Sequence, residues 1–270
     1  MIDATRPPGA PEEREAERRK VFWIQVGLIV VLVAVLIACY ELFEHRNGRR
    51  LVGSPPVQVT GVAESRVVPD VALTGESGRP TSLAALRGKV VVLAPFLTLC
   101  PATCAATTTA LGQLQRDISA AGLSGRVAFL EATVDPARDT PARLRAFSHL
   151  TGASSSLVTG APAELATMWR FFGLSYQPAR GGGVPATDWQ TGKAVPSGVA
   201  YANALYFIGP GGRLRIAMFD PPSTAPGVRA AHLLALEGLA PASPPKDGWT
   251  TRQAIGNIEY LLNKRIPVPR

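Results

Sequence analysis

Histidine and cysteine are scarce in this chain, three of each among 270 residues. Past residue 65 only Cys100, Cys104, His149 and His232 remain, and a closed structural zinc site wants four ligands, so zinc is disfavoured. Charge is sparse too, at 18% of residues. The formal net charge is +8, yet the basic residues are scattered singly rather than gathered in a stripe with interleaved aromatics, which argues against a nucleic-acid partner. A surface that meets anionic lipid or an acidic partner accounts for the excess. No internal repeat is present. What is plentiful is apolar side chain, at 46%, enough for one sizeable globular domain with appendages and too much for disorder throughout.

Residues 21–40, "VFWIQVGLIVVLVAVLIACY", hold one amide and no charge. At 1.5 Å per residue a helix of this length spans about 30 Å, one hydrocarbon thickness. Five Lys/Arg in residues 1–20 face three in residues 41–60, so the positive-inside rule keeps 1–20 as a cytoplasmic tail, makes 21–40 a single transmembrane anchor and sends the rest outside the cell membrane. The alternative is a lipoprotein: "LIAC", ending at Cys39, has the small-residue approach to a lipidated cysteine. Residues 41–65 carry charge and "GSPP" without apolar periodicity and are expected to be a tether.

The domain is expected over 66–245, with a C-terminal helix and tail over 246–270. Residues 71–83 look like a hairpin, and "KVVVLAPFL", 89–97, has the continuous apolar run of a strand covered on both faces. Leu111, Leu114 and Ile118 space out the buried stripe of a helix. A second interior strand follows over 126–135. Thr140 and Pro141 then open a helix as N-cap and first helical residue, with Leu144 and Phe147 facing inward. A helix over 162–172, a Gly/Pro-rich loop over 177–198, a strand–"GPGG"–strand unit over 204–219 and helices at 227–238 and 250–263 complete an α/β sandwich with a mixed sheet flanked by helices. Trp169, Phe171 and Phe172 read as core, while Asp188 and Trp189 lie on the long loop, where a partner could dock.

Cys100 follows a buried strand, and Cys104 comes just over one helical turn later, with Pro101 between them. Both sulfurs can then share one face at a helix N-terminus, where exposed N–H groups and the dipole favour thiolate. Such a pair can close an inert structural disulfide, cycle between dithiol and disulfide, or grip a soft ion such as Cu(I). For the cycling reading Cys100 is expected to be the more exposed, attacking thiol.

"LCPATC" before an amphipathic helix, "TVDPARDTPARLRAF" after the next strand and "LVTGAPAELATMWRFFGL" beyond it resemble the Sco/SenC family of membrane-anchored, thioredoxin-fold proteins, from about residue 68 to 219. The resemblance implies that Cys100 and Cys104, with one distant histidine, bind copper. It also implies a role in building the copper A centre of a cytochrome c oxidase subunit, by delivering Cu(I) or by reducing that subunit's cysteines. The family's acidic pair falls on Asp135 and Asp139. Those two could order a turn and complement a helix dipole, or lie beside the thiols and tune their protonation. The family's histidine falls on Tyr201, and a phenol is hard and mostly protonated, a poor ligand for Cu(I). His149 reads as a solvated surface residue, His45 lies on the tether, and His232 lies in a stretch, 220–245, that the resemblance does not reach.

Three functions are consistent with these residues: Cu(I) delivery to the copper A site through Cys100 and Cys104, thiol–disulfide exchange by the same pair without copper, and a binding scaffold without chemistry. The intact cysteine pair argues against the last. The expectation taken forward is a membrane-anchored oxidase assembly factor with Cys100 and Cys104 as its metal-binding or redox residues.

Overall fold

The computed structural model describes residues 11–47, 59–100, 104–179, 187–223 and 248–267, without the side chains of 11–17, 39–47, 104 and 105. Two compact units are present, Met1–Pro55 and Pro56–Arg270. Among its described residues the first contains one helix, α1 (Pro11–Asn47), of which Arg18–Ala38 is long and apolar enough to cross a membrane; a signal sequence near an N-terminus has the same property. Its large apolar side chains are exposed, Leu28 among them. The helix passes the expected boundary at 40, so the proposed tether over 41–65 is helical at its start.

The second unit is built on an eight-stranded sheet. Its strands are β1 (Val62–Val67), β2 (Ala72–Gly75), β3 (Pro80–Ser82), β4 (Val90–Phe96), β5 (Val127–Thr133), β6 (Ser156–Thr159), β9 (Ala204–Ile208) and β10 (Arg213–Phe219), in the spatial order β1-β10-β9-β4-β5-β6-β2-β3. β4, β5 and β6 run parallel, and every other pairing is antiparallel. Strands β7 (Tyr176–Ala179) and β8 (Gly198–Tyr201) form a separate two-stranded ribbon.

All seven residues of β4 are buried, as its unbroken apolar run implies. Val91 and Leu93 face one core with Leu165, Met168, Trp169 and Phe172 of α4 (Pro162–Phe172); Val90, Val92 and Ala94 face a second with α2 (Cys104–Ala120). Burying each such side chain stabilises the fold by roughly 1.5–3 kcal/mol. The helix after β5, α3 (Pro141–Thr151), starts as its sequence implies: Thr140 accepts from the Arg143 N–H, with Pro141 in the first turn.

Several elements differ from expectation, β6 among them, since no strand was expected over 156–159. β1 begins inside the segment read as a tether and crosses its expected end at 65, because its register with β10, Val62 opposite Ala217, draws it into the sheet although most of its residues stay exposed. The last helix, α5 (Thr251–Leu262), is part of the domain rather than an appendage, since Ala254, Ile255 and Ile258 are buried in the α2-side core. Asn257, fully buried on α5, accepts from Thr60 N (2.9 Å) and donates to Thr60 O (2.8 Å), fastening the chain just before β1. The loop over 177–198 is bracketed by β7 and β8, which pair across it. The helix expected at 227–238 lies outside the described residues.

Candidate functional site: a buried cysteine beneath a phenol

Strand β4 pairs with β9 only as far as Leu93, and Pro95, which has no N–H to donate, lies beyond that last pair. From there the chain runs through Leu97, Thr98 and Leu99 to Cys100, and α2 begins at Cys104. Thus Cys100 stands at the carboxyl end of the parallel strands, where open α/β sheets place their ligand sites. It is disulfide-bonded and only 5% exposed, packed in the same core as Leu97 and Leu99. The exposure expected of Cys100 as the attacking sulfur is not found. The side chain of Cys104 lies outside the described residues.

Tyr201 ends β8, and its hydroxyl oxygen lies 4.0 Å from the Cys100 sulfur. A disulfide sulfur carries no hydrogen, so in this state the phenol is the only donor of that pair. The register of the ribbon sets Tyr176 opposite Tyr201, and Ala202 N donates to Ser175 O at 3.0 Å, closing its end. The position to which the resemblance assigns a histidine is therefore at the sulfur.

The acidic pair supports this arrangement from two sides. Asp139, 1% exposed, accepts from Thr98 N (3.2 Å), Thr98 Oγ1 (2.5 Å) and Thr133 Oγ1 (2.5 Å). It thereby fixes the residue two before Cys100. Burial pushes the Asp139 carboxyl up to about 6, against the pull of those hydrogen bonds. Asp135 pairs with Arg138 Nε, and Arg138 Nη1 donates to Ser197 O at 2.9 Å, one residue before β8. One aspartate holds the cysteine loop and the other, through Arg138, holds the strand bearing Tyr201. Both were expected near the thiols or in a turn; Arg138 was missed, although a cation between two aspartates in "DPARD" was a usable signal.

A second missed cation is Arg143. It is buried on α3, donates through Nε to Thr98 Oγ1 at 2.6 Å, and pairs through Nη1 with Asp188 Oδ2 at 2.9 Å. Its guanidinium lies over the Trp189 ring, 4.8 Å from the centroid, and Trp189 Nε1 donates to Thr98 O at 2.9 Å. Burial works against ionisation of Asp188, but the Gln190 N–H and Arg143 outweigh it and hold its carboxyl below the usual range. Asp188 and Trp189, read as lying on a loop where a partner could dock, are partly buried here and bind the loop that leads to Cys100.

One helical turn after Cys104, Thr108 donates to the buried Glu131 of β5 at 2.9 Å, and Ser155 donates to its other oxygen. Burial raises the Glu131 carboxyl above its usual range despite both bonds. Among the described residues no three His, Cys, Asp or Glu side chains converge on a metal-sized site. His149 is exposed in the last turn of α3, the side chain of His45 is not described, and His232 lies outside the described residues.

A β4–α2–β5 unit followed by the antiparallel β9–β10 pair and α5, with a cysteine ahead of the first helix, defines a thioredoxin-like thiol domain. The chain belongs to the SCO1/SenC family, whose model matches residues 60–228. A protein of Stutzerimonas stutzeri described as copper-binding is 27% identical over 150 residues, 56% of this chain and 68% of that one. Copper-bound ScoI of Arabidopsis thaliana is similar at 18% identity over 64% of this chain and 94% of its own, with a TM-score of 0.47. BsSco, a cytochrome c oxidase assembly protein of the Sco family with a disulfide switch, is 18% identical over 61% of this chain and 88% of its own, TM-score 0.44.

Proposed function

We propose that this chain is a membrane-anchored assembly factor for cytochrome c oxidase that binds Cu(I) through Cys100 and Cys104 and passes it to the copper A centre of an oxidase subunit. Copper is cargo in this reading, and two thiolates suit a soft monovalent ion. The observation that carries the proposal is the placing of Cys100 at the strand end before α2 in a chain of the SCO1/SenC family. The apolar helix supplies the anchor and leaves the domain on the outer side of the membrane, within reach of a membrane-bound oxidase. We further propose that the disulfide partner of Cys100 is Cys104, four residues on, since the remaining cysteine, Cys39, belongs to the other unit.

A specific observation favours a second reading, thiol–disulfide exchange. The donor beside the sulfur is a phenol O–H, which serves a thiolate better than it serves a copper ion. The two readings share the cysteine pair and part at Tyr201. Deleting the gene and scoring copper A absorbance in purified oxidase tests the role common to both: the signal is lost, wild type restores it and Cys100→Ser does not. Full copper A content in the deletion strain would reject both readings.

A further inference from the structure

We infer that Tyr201 is a catalytic residue of thiol–disulfide exchange, its hydroxyl holding the Cys100 sulfur as that sulfur leaves, and that Arg138 is its positioning residue. The inference rests on the thiol-exchange reading above and assigns its direction of attack. At 5% exposure Cys100 is itself closed to a thiol the size of a protein side chain. The attack therefore falls on Cys104. A thiolate of a partner protein forms a sulfur–sulfur bond to Cys104, the Cys100–Cys104 bond breaks, and its electron pair stays on Cys100 as a thiolate. Run in reverse, Cys104 attacks a partner disulfide and Cys100 resolves the mixed disulfide, releasing the partner's second sulfur as thiolate.

The geometry matters because charge develops where the donor already waits. Before cleavage the Tyr201 O–H faces a neutral divalent sulfur at 4.0 Å, a weak acceptor. As the bond breaks that sulfur becomes an anion, and a hydrogen bond to an anion is roughly twice as strong as a neutral one. An interaction that strengthens along the reaction lowers its barrier, which uniform binding does not. The sulfur sits in an apolar cluster with Leu97 and Leu99, a setting of low dielectric in which that gain is larger.

The donor is held from outside the site. Ser197, the residue before β8, accepts from Arg138 Nη1, and Arg138 is itself held by buried Asp135. Loss of Arg138 frees the start of the strand whose end carries Tyr201 while leaving the hydroxyl in place chemically.

The test uses the full-length chain in detergent with its disulfide formed, and follows reduction by dithiothreitol at pH 7 through trapping of released thiols. Tyr201→Phe, which keeps the ring, is expected to slow reduction roughly tenfold or more. Arg138→Met is expected to slow it less, and Arg138→Lys to recover part of the rate. Equal rates for wild type and Tyr201→Phe overturn the inference while leaving thiol exchange standing. A wild-type disulfide that dithiothreitol does not reduce in the folded protein removes the thiol-exchange reading, and the inference with it. A second measurement does not depend on Tyr201 variants folding: oxidised glutathione is expected to modify Cys100→Ser, which retains Cys104, about tenfold faster or more than Cys104→Ser, whose remaining thiol is the buried Cys100. Equal or reversed reactivity places the attack on Cys100 and contradicts the assignment.

Discussion

The hydroxyl of Tyr201 lies 4.0 Å from the sulfur of Cys100, although 101 positions separate the two residues in the chain. Each is set there by a different aspartate of one short segment. Asp139 grips Thr98 ahead of the cysteine, and Asp135 acts through Arg138 on the backbone ahead of the tyrosine strand. "DPARD" thus works as a two-sided clamp in which the carboxylates touch the supports of the site rather than its reacting atoms.

The titration of Asp139 makes stability depend on pH. Burial raises its carboxyl to about 6 from 3.8, so the folded state binds the proton more tightly than the unfolded chain does. Its contribution is fully present below about pH 4 and is lost as pH rises through about 6, by at most about 3 kcal/mol. Chemical denaturation of wild type and Asp139→Asn between pH 4 and 7 checks this: the difference between them is expected to shift against wild type as pH rises. A difference independent of pH would contradict it.

Arg143 is 8% exposed on its side chain and depends on Asp188 for its main charge partner. Asp188→Ala leaves that guanidinium with the more distant Asp139, 3.8 Å from Nε, as its ion partner and is expected to cost about 1–3 kcal/mol of stability. Trp189→Phe removes the bond to Thr98 O and is expected to cost about 1 kcal/mol. The first is also expected to speed thiol trapping at Cys100 in the reduced chain, because the loop through Thr98 loosens. Denaturation curves read beside the trapping rate separate the two effects.

Asn257 satisfies both backbone groups of Thr60 from a fully buried position. Asn257→Ala is expected to cost about 2–3 kcal/mol, the penalty for stranding buried polar groups. Removing residues 1–66 deletes all but the last residue of β1 and is expected to lower the melting temperature of the domain by several degrees. A version starting at residue 56 is expected to melt as the intact domain does.

Much of this arrangement was legible in the sequence where the signal was local. The β4 run, the Thr140–Pro141 helix start and the strand–turn–strand unit at 204–219 depend on neighbours in the chain, and each forms where expected. β1 escaped notice because "VAESRV" is mostly exposed and owes its place to a partner some 150 residues away. Cys100, Cys104, Asp135 and Asp139 were singled out by spacing and by the family resemblance, but their division of labour depends on long-range hydrogen bonds. Arg143, Asp188 and Trp189 meet only because the loop over 177–198 folds back onto Thr98, and no periodicity records that.

The central claim is that Cys100 and Cys104 bind Cu(I) with the Tyr201 phenol beside the Cys100 sulfur. An anaerobic competition titration of the reduced full-length chain against a chromophoric Cu(I) chelator tests it, with Cys100→Ser and Tyr201→His alongside. The account predicts one Cu(I) per chain, binding abolished by Cys100→Ser, and an affinity that Tyr201→His raises by no more than about tenfold. Weak wild-type binding that Tyr201→His restores by several orders of magnitude would contradict it and leave thiol exchange as the function of the pair.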